Sequence, residues 1–490
     1  MRLSLWAVFA AFCVLAVSML SAAPNALVVA QNGPGLMGGM STTAITKLIN
    51  NILPAALEMV KATPLEDISG RESGFNYEVR SIKIKEFNIA SFTLSVTSGV
   101  RVDLRGIYGK AGMDWKYKLK KWPHLPKGSG TADATMDVSD IGATFALAVT
   151  ADGRPSIRIN EVTVDIHKIT IKTHGSLFSW LYNLIIKAFQ GTFKRAVEKG
   201  LKNALETTFN DKIAAIIATL PMAGRVGKWG TIDLHIPAQG LATIGDSIVL
   251  AFNGEVYPQG GFSDGLTPRH AGMPFVPSGR LLDIVLDTFT LQSAFHTYAH
   301  SGMLNKLITR DQHPEKFPDI FNTDQWTYIP ALKAKYPNHD VRFVVTLGAD
   351  PTVNAVPGAL TLGADFRFDV QVSPVGADAW VSALKLAATG STNLEVSLDT
   401  SVPFNPVLHL AIPAFNPKFA VTDSTIGNID LTLLNIVVNA LLNNVILPGI
   451  NVMLADGIPL PSVAGLTLSN AEFNILQDGF QMRADVDFNI

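Results

Sequence analysis

The chain has 490 residues, of which 48% are hydrophobic and only 16% carry a charge at neutral pH. The formal net charge is −2, so the chain lacks the overall basic charge typical of nucleic-acid-binding proteins, and we expect no nucleic-acid partner. A chain this apolar and this long is expected to form two or three domains that bury the excess around an apolar ligand, and lipid is the ligand we expect.

Residues 1–30 are predicted to be a secretory signal peptide. Arg2 precedes an apolar run from Leu3 to Leu20, and small residues follow. Cleavage after Ala23 or after Ala30 fits this pattern, and we favour the second site because Pro24 would follow the first. The single cysteine lies within this segment, so the mature chain is expected to be extracellular, without a disulfide, and stabilised by its core.

The first half begins with a helix. After a predicted loop at 33–35, Ser41 and Thr42 can cap a helix that ends near Lys61. Alternating apolar residues between Tyr77 and Ile166 then predict a strongly curved or closed antiparallel sheet. Ser176 is expected to open a helix of about 45 residues, and Pro221 to end it.

A basic segment at 110–127 interrupts the predicted strands. In a strand, Lys116, Lys118 and Lys120 share one face, while Trp115 and Tyr117 occupy the other. Lysines attract phosphates, and aromatic rings settle at membrane interfaces. The alternative is a solvated, charge-protected edge hairpin. The candidate residues for binding an anionic lipid surface are Lys110, Lys116, Lys118, Lys120, Lys121 and Lys127.

The second half repeats the order of the first. Residues 222–275 are rich in glycine and proline and are predicted to give strands to a shared central sheet. Asp287 caps a predicted helix that ends at Gly302, and strands follow at 341–347, 360–372 and 394–398. A second apolar helix is expected from Leu431 to about Leu447, ended by Pro448-Gly449, before the last strands at 466–468 and 482–488.

The second apolar helix is not expected to cross a membrane. Residues 431–455 carry no charge and are long enough to do so. Asn435, Asn439 and Asn443 nevertheless form a polar stripe, which indicates a buried helix with one wet or hydrogen-bonded edge.

Enzyme motifs are incomplete in this chain. His296 and His300 have the spacing of a zinc-binding helix, but Thr297 stands where a zinc protease has glutamate. The residues at 245–247, Gly-Asp-Ser, lack the surroundings of an esterase, and neither G-x-S-x-G nor a phosphate-binding glycine loop is found. We therefore predict no enzyme activity, no metal and no cofactor other than a bound phospholipid ligand.

Charge is divided unevenly between the two halves. Residues 31–225 contain 25 Lys/Arg and 17 Asp/Glu, whereas residues 226–490 contain 13 and 24. The difference predicts that the first half faces an anionic partner, although incidental drift in composition would also produce it.

The colinear set of motifs resembles the bactericidal/permeability-increasing and lipopolysaccharide-binding protein family, to which the cholesteryl-ester and phospholipid transfer proteins are related. The similar segments are Gly33-Pro34-Gly35-Leu36 with Thr43 and Leu48, Tyr77 to Ile89, Ile166 to Pro221, Ile232 to Tyr257, and Ile458-Pro459-Leu460-Pro461. The family's disulfide is missing, because its positions fall near Ile159 and Lys202.

The resemblance implies an α+β fold, a boomerang of two similar barrels, each a curved antiparallel sheet with long helices, joined by a central antiparallel sheet. The expected domains are 31–225, a connector at 226–275, and 276–490. Each barrel is expected to hold phospholipid in an apolar pocket, lined by Ile45, Leu48, Ile49, Ile52, Trp180, Leu181, Leu184, Ala188, Phe295, Tyr298, Val437 and Leu441.

The function that the resemblance implies is innate defence by a secreted lipid-binding protein, whose basic tip, with Lys120 and Lys121, binds lipopolysaccharide or anionic membranes. The alternative is a lipid-transfer or carrier protein without antimicrobial activity, which the near-neutral net charge favours because bactericidal members are strongly basic.

Overall fold

The computed structural model describes residues 33–62, 65–72, 75–95, 100–120, 127–174, 179–203, 206, 209–218, 220–227, 230–261, 272–302, 304–312, 320–401, 406–459 and 466–488. The predicted signal peptide, the predicted helix start at Ser176 and the candidate Lys121 lie outside these residues. Within them the protein is a mixed fold, mostly antiparallel strands with a few long helices.

In the described part of the first half, a short strand and a helix come first, and six further strands and a long helical region follow. Its elements are β1 Leu36–Ser41, α1 Thr42–Ala62, β2 Ile68–Glu72, β3 Phe75–Asn88, β4 Ser91–Ser95, β5 Val100–Leu119, β6 Lys127–Val149, β7 Pro155–His174, α2 Ser179–Asn203 and α3 Phe209–Ile217. Ser41 caps α1 by accepting a hydrogen bond from the N–H of Ala44 at 3.2 Å, as predicted. Strands β2-β3-β5-β6-β7 form one antiparallel sheet, with β4 paired to β5.

Short strands connect the halves: β8 Ala223–Val226, β9 Gly230–Asp233, β10 Leu241–Ile244, β11 Ser247–Phe252 and β12 Val256–Pro258. The second half begins with β13 Leu282–Asp287 and α4 Thr288–His300, followed by β14 Lys306–Ile308 and α5 Pro330–Lys335. Asp287 caps α4, as predicted, by accepting a hydrogen bond from the N–H of Phe289 at 2.8 Å.

The rest of the second half is a long-stranded sheet followed by the second apolar helix. Its elements are β15 His339–Val356, β16 Ala359–Pro374, β17 Val381–Asn393, β18 Glu395–Asp399, β19 Val407–Ala411, β20 Lys418–Ser424, α6 Leu431–Leu441, α7 Leu447–Leu454, β21 Ile458–Pro459, β22 Leu466–Leu476 and β23 Gly479–Phe488. Strands β14-β15-β16-β17-β20 form its main sheet.

The predicted end of the second apolar helix at Pro448-Gly449 is wrong. A π-helical turn, Leu442–Ile446, joins α6 to α7, and helical structure continues through the proline to Leu454. Pro448 lies in the first turn of α7, where the missing N–H and fixed φ of proline are tolerated.

The central sheet draws strands from both halves, in the order β10-β11-β1-β13-β23-β22. Its middle pair, β1 and β13, is antiparallel, with Gly38 opposite Ile284, and each of these strands runs directly into a helix. On either side lies a hairpin, β10-β11 beyond β1 and β22-β23 beyond β13. The two halves therefore repeat one strand–helix unit about the middle of this sheet.

One helix in the described part of the chain, Leu434–Val452, is long and apolar enough to cross a membrane by length and composition. Core helices of water-soluble proteins pass the same test. On this helix, Leu434, Val438 and Leu441 are fully buried in the second core, against strands such as β16, whereas Ile436 and Val452 are exposed.

Candidate functional site

The main candidate site is an apolar cleft in the second half, with an empty volume of about 670 Å³. The lining side chains are almost all aliphatic or aromatic: Phe295, Tyr298, Leu304, Leu347, Pro351, Leu362, Ala364, Phe366, Thr392, Ile412, Phe415, Leu442, Ile446, Leu447, Ile450 and Leu454. A smaller adjacent space of about 310 Å³ shares Phe295, Tyr298 and Leu454 with it.

Three layers of structure build the cleft. Helix α4 contributes Phe295 and Tyr298, the sheet of β15 to β17 contributes residues such as Leu362, and the second apolar helix contributes a row from Leu442 to Leu454. No charged side chain belongs to this lining. The cleft can therefore select a ligand by its apolar surface but offers little to fix its orientation.

The cleft has a fourth wall, which is the irregular segment between β19 and β20. Two asparagines of the second apolar helix hold this segment in place. Asn443 accepts a hydrogen bond from the N–H of Phe415 at 2.8 Å and donates to its carbonyl oxygen at 2.9 Å. Asn451 makes the same pair of bonds with Ile412, both at 2.9 Å. These amides replace the strand partners that this segment lacks.

The polar stripe predicted on this helix is therefore partly a hydrogen-bonded edge. Asn443 is bonded, as described, whereas Oδ1 of Asn435 and Oδ1 of Asn439 are buried without a hydrogen-bond partner among the described residues.

The hydroxyl of Tyr298 is the polar end of an otherwise apolar wall. Burial raises the pKa of Tyr298, and the nearby carboxylate of Asp456 raises it further. The hydroxyl packs against Gly227, which has a φ of +55° and no side chain to obstruct it. A neutral phenol at neutral pH suits a lipid-facing position.

The structure places the predicted pocket residues in different surroundings. Phe295 and Tyr298 line the cleft. Leu441 is fully buried in the second core, Ile45 and Leu48 are fully buried in the first core, and Ile49 packs against that core. The side chains of Ile52, Trp180, Leu181, Leu184, Ala188 and Val437 lie outside the described part of the structure, so their role stays a prediction.

Polar side chains hold the long helix of the first half against β7, where the family's disulfide is missing. Asn210 accepts a hydrogen bond from the N–H of Ile159 at 2.8 Å, and Gln190 donates one to the carbonyl oxygen of Ile169 at 3.0 Å. Arg154 donates to carbonyl oxygens at the end of α3, including that of Leu220 at 2.9 Å. Hydrogen bonds therefore supplement packing in holding this helix.

The second candidate site is the basic edge, which we define as Lys116, Lys118, Lys120 and Lys127. All four side chains are exposed, and no ion pair joins any of them to the described residues. Lys118 and Lys127 are direct cross-strand partners between β5 and β6. Like charges in that position repel each other, so an anion bound between them would stabilise the hairpin.

The surroundings of Lys110 and of Lys120 shift the pKa values of these two lysines in opposite directions. Lys110 is paired with Glu86 at 2.9 Å, and this hydrogen bond raises the pKa of its ammonium group. The pKa of Lys120 is lowered by partial desolvation and by the charge of Arg71. Arg71 lies in the edge strand β2 and was not among the predicted binding residues.

The interfacial role expected of the aromatic residues in this segment is wrong for two of them. Trp115 and Tyr117 are 1% and 4% exposed, and their rings stack at 5.9 Å inside the first core. The indole N–H of Trp115 donates to the carbonyl oxygen of Thr131 at 2.9 Å. They anchor the hairpin from within and do not contact an external surface.

Two protein-family models match most of this chain. The C-terminal domain of the LBP / BPI / CETP family matches residues 232–488, and its N-terminal domain matches residues 42–211. The chain belongs to the LBP/BPI/CETP family. This is a non-enzymatic lipid-binding family, in agreement with the absence of a complete catalytic motif.

Relatives in this family are similar along nearly their whole length. A bactericidal permeability-increasing protein from Sebastes schlegelii is 26% identical over 88% of this chain and 90% of its own. A putative BPI/LBP family protein from Arabidopsis thaliana is 24% identical over 95% and 92%. The crystal structure of a lipopolysaccharide-binding protein has a TM-score of 0.54 and 21% identity, and covers 93% of this chain and all of its own. That structure supports the fold.

Proposed function

We propose that this protein is secreted, that it holds phospholipid acyl chains in apolar pockets of two barrels arranged as a boomerang, and that its basic edge binds lipopolysaccharide or anionic membranes. The observation that carries the lipid part is the apolar cleft of about 670 Å³ between α4, the second sheet and the second apolar helix.

The energetics of the cleft favour acyl chains over polar ligands. Burying an acyl chain of about 16 carbons is worth on the order of 12 kcal/mol at ~0.8 kcal/mol per CH₂, before the cost of immobilisation. A polar headgroup would lose its hydration without finding a charged partner among the lining residues. The headgroup is therefore expected to remain in solvent at the mouth of the cleft.

Lipid that co-purifies with the protein tests this proposal. We expect about two phospholipids per chain by native mass spectrometry, followed by extraction and identification, because the strand–helix unit is repeated. Protein purified without detergent that carries no lipid would refute the pocket function in both halves.

A substitution that fills the cleft separates its contribution from that of the first half. Ala364 lines the cleft and is partly exposed, so Ala364→Trp is expected to block it without removing a core side chain. Ala387, on the neighbouring strand β17, is also partly exposed but does not line the cleft. Lipid content should fall by about one molecule per chain in Ala364→Trp and stay unchanged in Ala387→Trp. Equal content in the two variants would place the lipid elsewhere.

Binding to anionic surfaces is assigned to the basic edge. Each lysine near an anionic leaflet contributes about 1 kcal/mol, an attraction that fades within a Debye length. Replacing Lys116, Lys118, Lys120 and Lys127 with alanine is therefore expected to weaken binding by up to ~4 kcal/mol at low salt, and by much less at high salt.

Vesicles of anionic phospholipid and purified lipopolysaccharide, titrated across salt concentrations, measure this contribution. The matched control replaces four exposed lysines of the second half, Lys333, Lys335, Lys385 and Lys418. If both quadruple variants bind like the unaltered protein at low salt, the basic edge is only a solvated sheet edge.

The carrier function is the second candidate, and the formal net charge of −2 favours it. A carrier exchanges pocket lipid between vesicles without binding lipopolysaccharide. Lipid transfer between neutral vesicles that is unaffected by the basic-edge substitutions, combined with no affinity for lipopolysaccharide, would favour the carrier function over defence.

A further inference from the structure

Two histidines and an aspartate meet where α4 packs on β15, beside the apolar cleft. His296 and His300 are one helical turn apart, so their rings share a face of α4, with centroids separated by 4.0 Å. Nδ1 of His296 lies 2.7 Å from Oδ2 of Asp350, and Nδ1 of His300 lies 3.7 Å from its Oδ1. Each residue offers one possible ligand atom, a nitrogen or an oxygen, and these three atoms all lie within 4.8 Å of one another.

A local irregularity of β15 presents the aspartate to the helix. The register between β15 and β16 shifts on both sides of Ala349, and such bulges turn side chains away from the regular ladder. Gln292, one turn before the first histidine, donates a hydrogen bond to the carbonyl oxygen of Pro351 and accepts one from the N–H of Val353. The helix therefore holds the backbone of Pro351 and Val353, directly after Asp350.

The distances suit a small metal ion after a modest movement. Zinc binds histidine nitrogen at about 2.0–2.1 Å and carboxylate oxygen at about 2.0–2.2 Å, so tetrahedral ligands are roughly 3.3 Å apart. Nδ1 of His296 and the Asp350 carboxylate would separate by about 0.6 Å from their present 2.7 Å. The Asp350 side chain is 45% exposed and has room for this movement.

A second hydrogen bond orients the other imidazole. Nδ1 of His300 lies 3.0 Å from the carbonyl oxygen of His296 and donates to it. That bond fixes the tautomer in which Nε2 carries a free lone pair, which is a common arrangement of metal-binding histidines.

The geometry points to His296, His300 and Asp350 as the ligands of one divalent transition-metal ion of the zinc class. Three protein ligands leave a fourth position for water. Because Phe295 and Pro351 line the cleft and each adjoins a ligand, the ion joins α4 to β15 across the cleft wall. Without a glutamate at Thr297 the site is structural, not hydrolytic.

Calorimetric titration of Zn²⁺ into the full mature protein tests the site, after chelator treatment and without a histidine tag. We expect saturation at one ion per chain, and a rise in Tm with Zn²⁺ because a ligand of the folded state stabilises it. The side chain of His300 is 56% exposed. His300→Ala should weaken Zn²⁺ binding by at least about 10-fold, because even the loss of a residue that only hydrogen-bonds a metal ligand has that effect. Asp350→Asn should do the same.

The matched control is His167→Ala, which removes a histidine that is 62% exposed and lies 3.3 Å from a single aspartate, Asp165. It should bind Zn²⁺ like the unaltered protein. The inference is overturned if the unaltered protein shows no saturable binding at one ion per chain. It is also overturned if neither His300→Ala nor Asp350→Asn weakens that binding while circular dichroism shows both variants folded.

Discussion

Asn443 offers a quantitative test of how the cleft wall is held. Its side-chain amide is bonded to the N–H and the carbonyl oxygen of Phe415, a residue that lines the cleft in a segment with no strand partner. Asn443→Leu keeps the approximate volume and removes both bonds. Each backbone group left unsatisfied and partly buried costs about 1–3 kcal/mol, so the loss of both bonds is expected to cost about 2–6 kcal/mol.

Adjacent Asn444 provides the matched control. Its side chain is exposed and, among the described residues, donates to the carbonyl oxygen of Ala440 within the same helix, so Asn444→Leu should change stability by no more than about 0.5 kcal/mol. In thermal unfolding, Asn443→Leu should lower Tm by at least about 4 °C, taking roughly 2–4 °C per kcal/mol, and should also lower lipid content. If both variants melt within 1 °C of each other, amide docking does not hold the cleft wall.

Three further outcomes are expected from thermal unfolding. Asn210→Leu should destabilise the protein by about 1–2 kcal/mol by removing the acceptor for the N–H of Ile159, whereas Asn203→Leu, at an exposed position, should not. The carboxylate of Asp430 accepts a hydrogen bond from the N–H of Thr432, and this bond holds the pKa of Asp430 below its usual range. The cap therefore stabilises the protein above about pH 4, and this contribution is lost as the pH falls through the pKa of Asp430 in the folded state. Asp430→Ala should therefore lower Tm more at pH 7 than at about pH 2. Gly227→Ala should lower Tm because its φ of +55° disfavours a side chain and the hydroxyl of Tyr298 fills the space.

The local elements of this protein follow from its sequence. The capping residues Ser41 and Asp287 start α1 and α4 at the predicted positions, because a cap is a bond between neighbours in the chain. Alternating burial along β3 and β7 likewise matches the apolar period of two. The missing disulfide and the charge division between the halves also needed no structure.

Only the tertiary structure decided which distant groups meet. No strand was predicted at Leu36–Ser41, which contains two glycines, yet β1 lies in the middle of the central sheet, where β13 and β11 supply its partners. The sequence placed Trp115 on a face but not inside the core. Asp350 is 54 residues from His296, so no local spacing predicts their contact. Such contacts depend on how the sheets and helices pack, whereas periodicity and caps report only a residue's near neighbours.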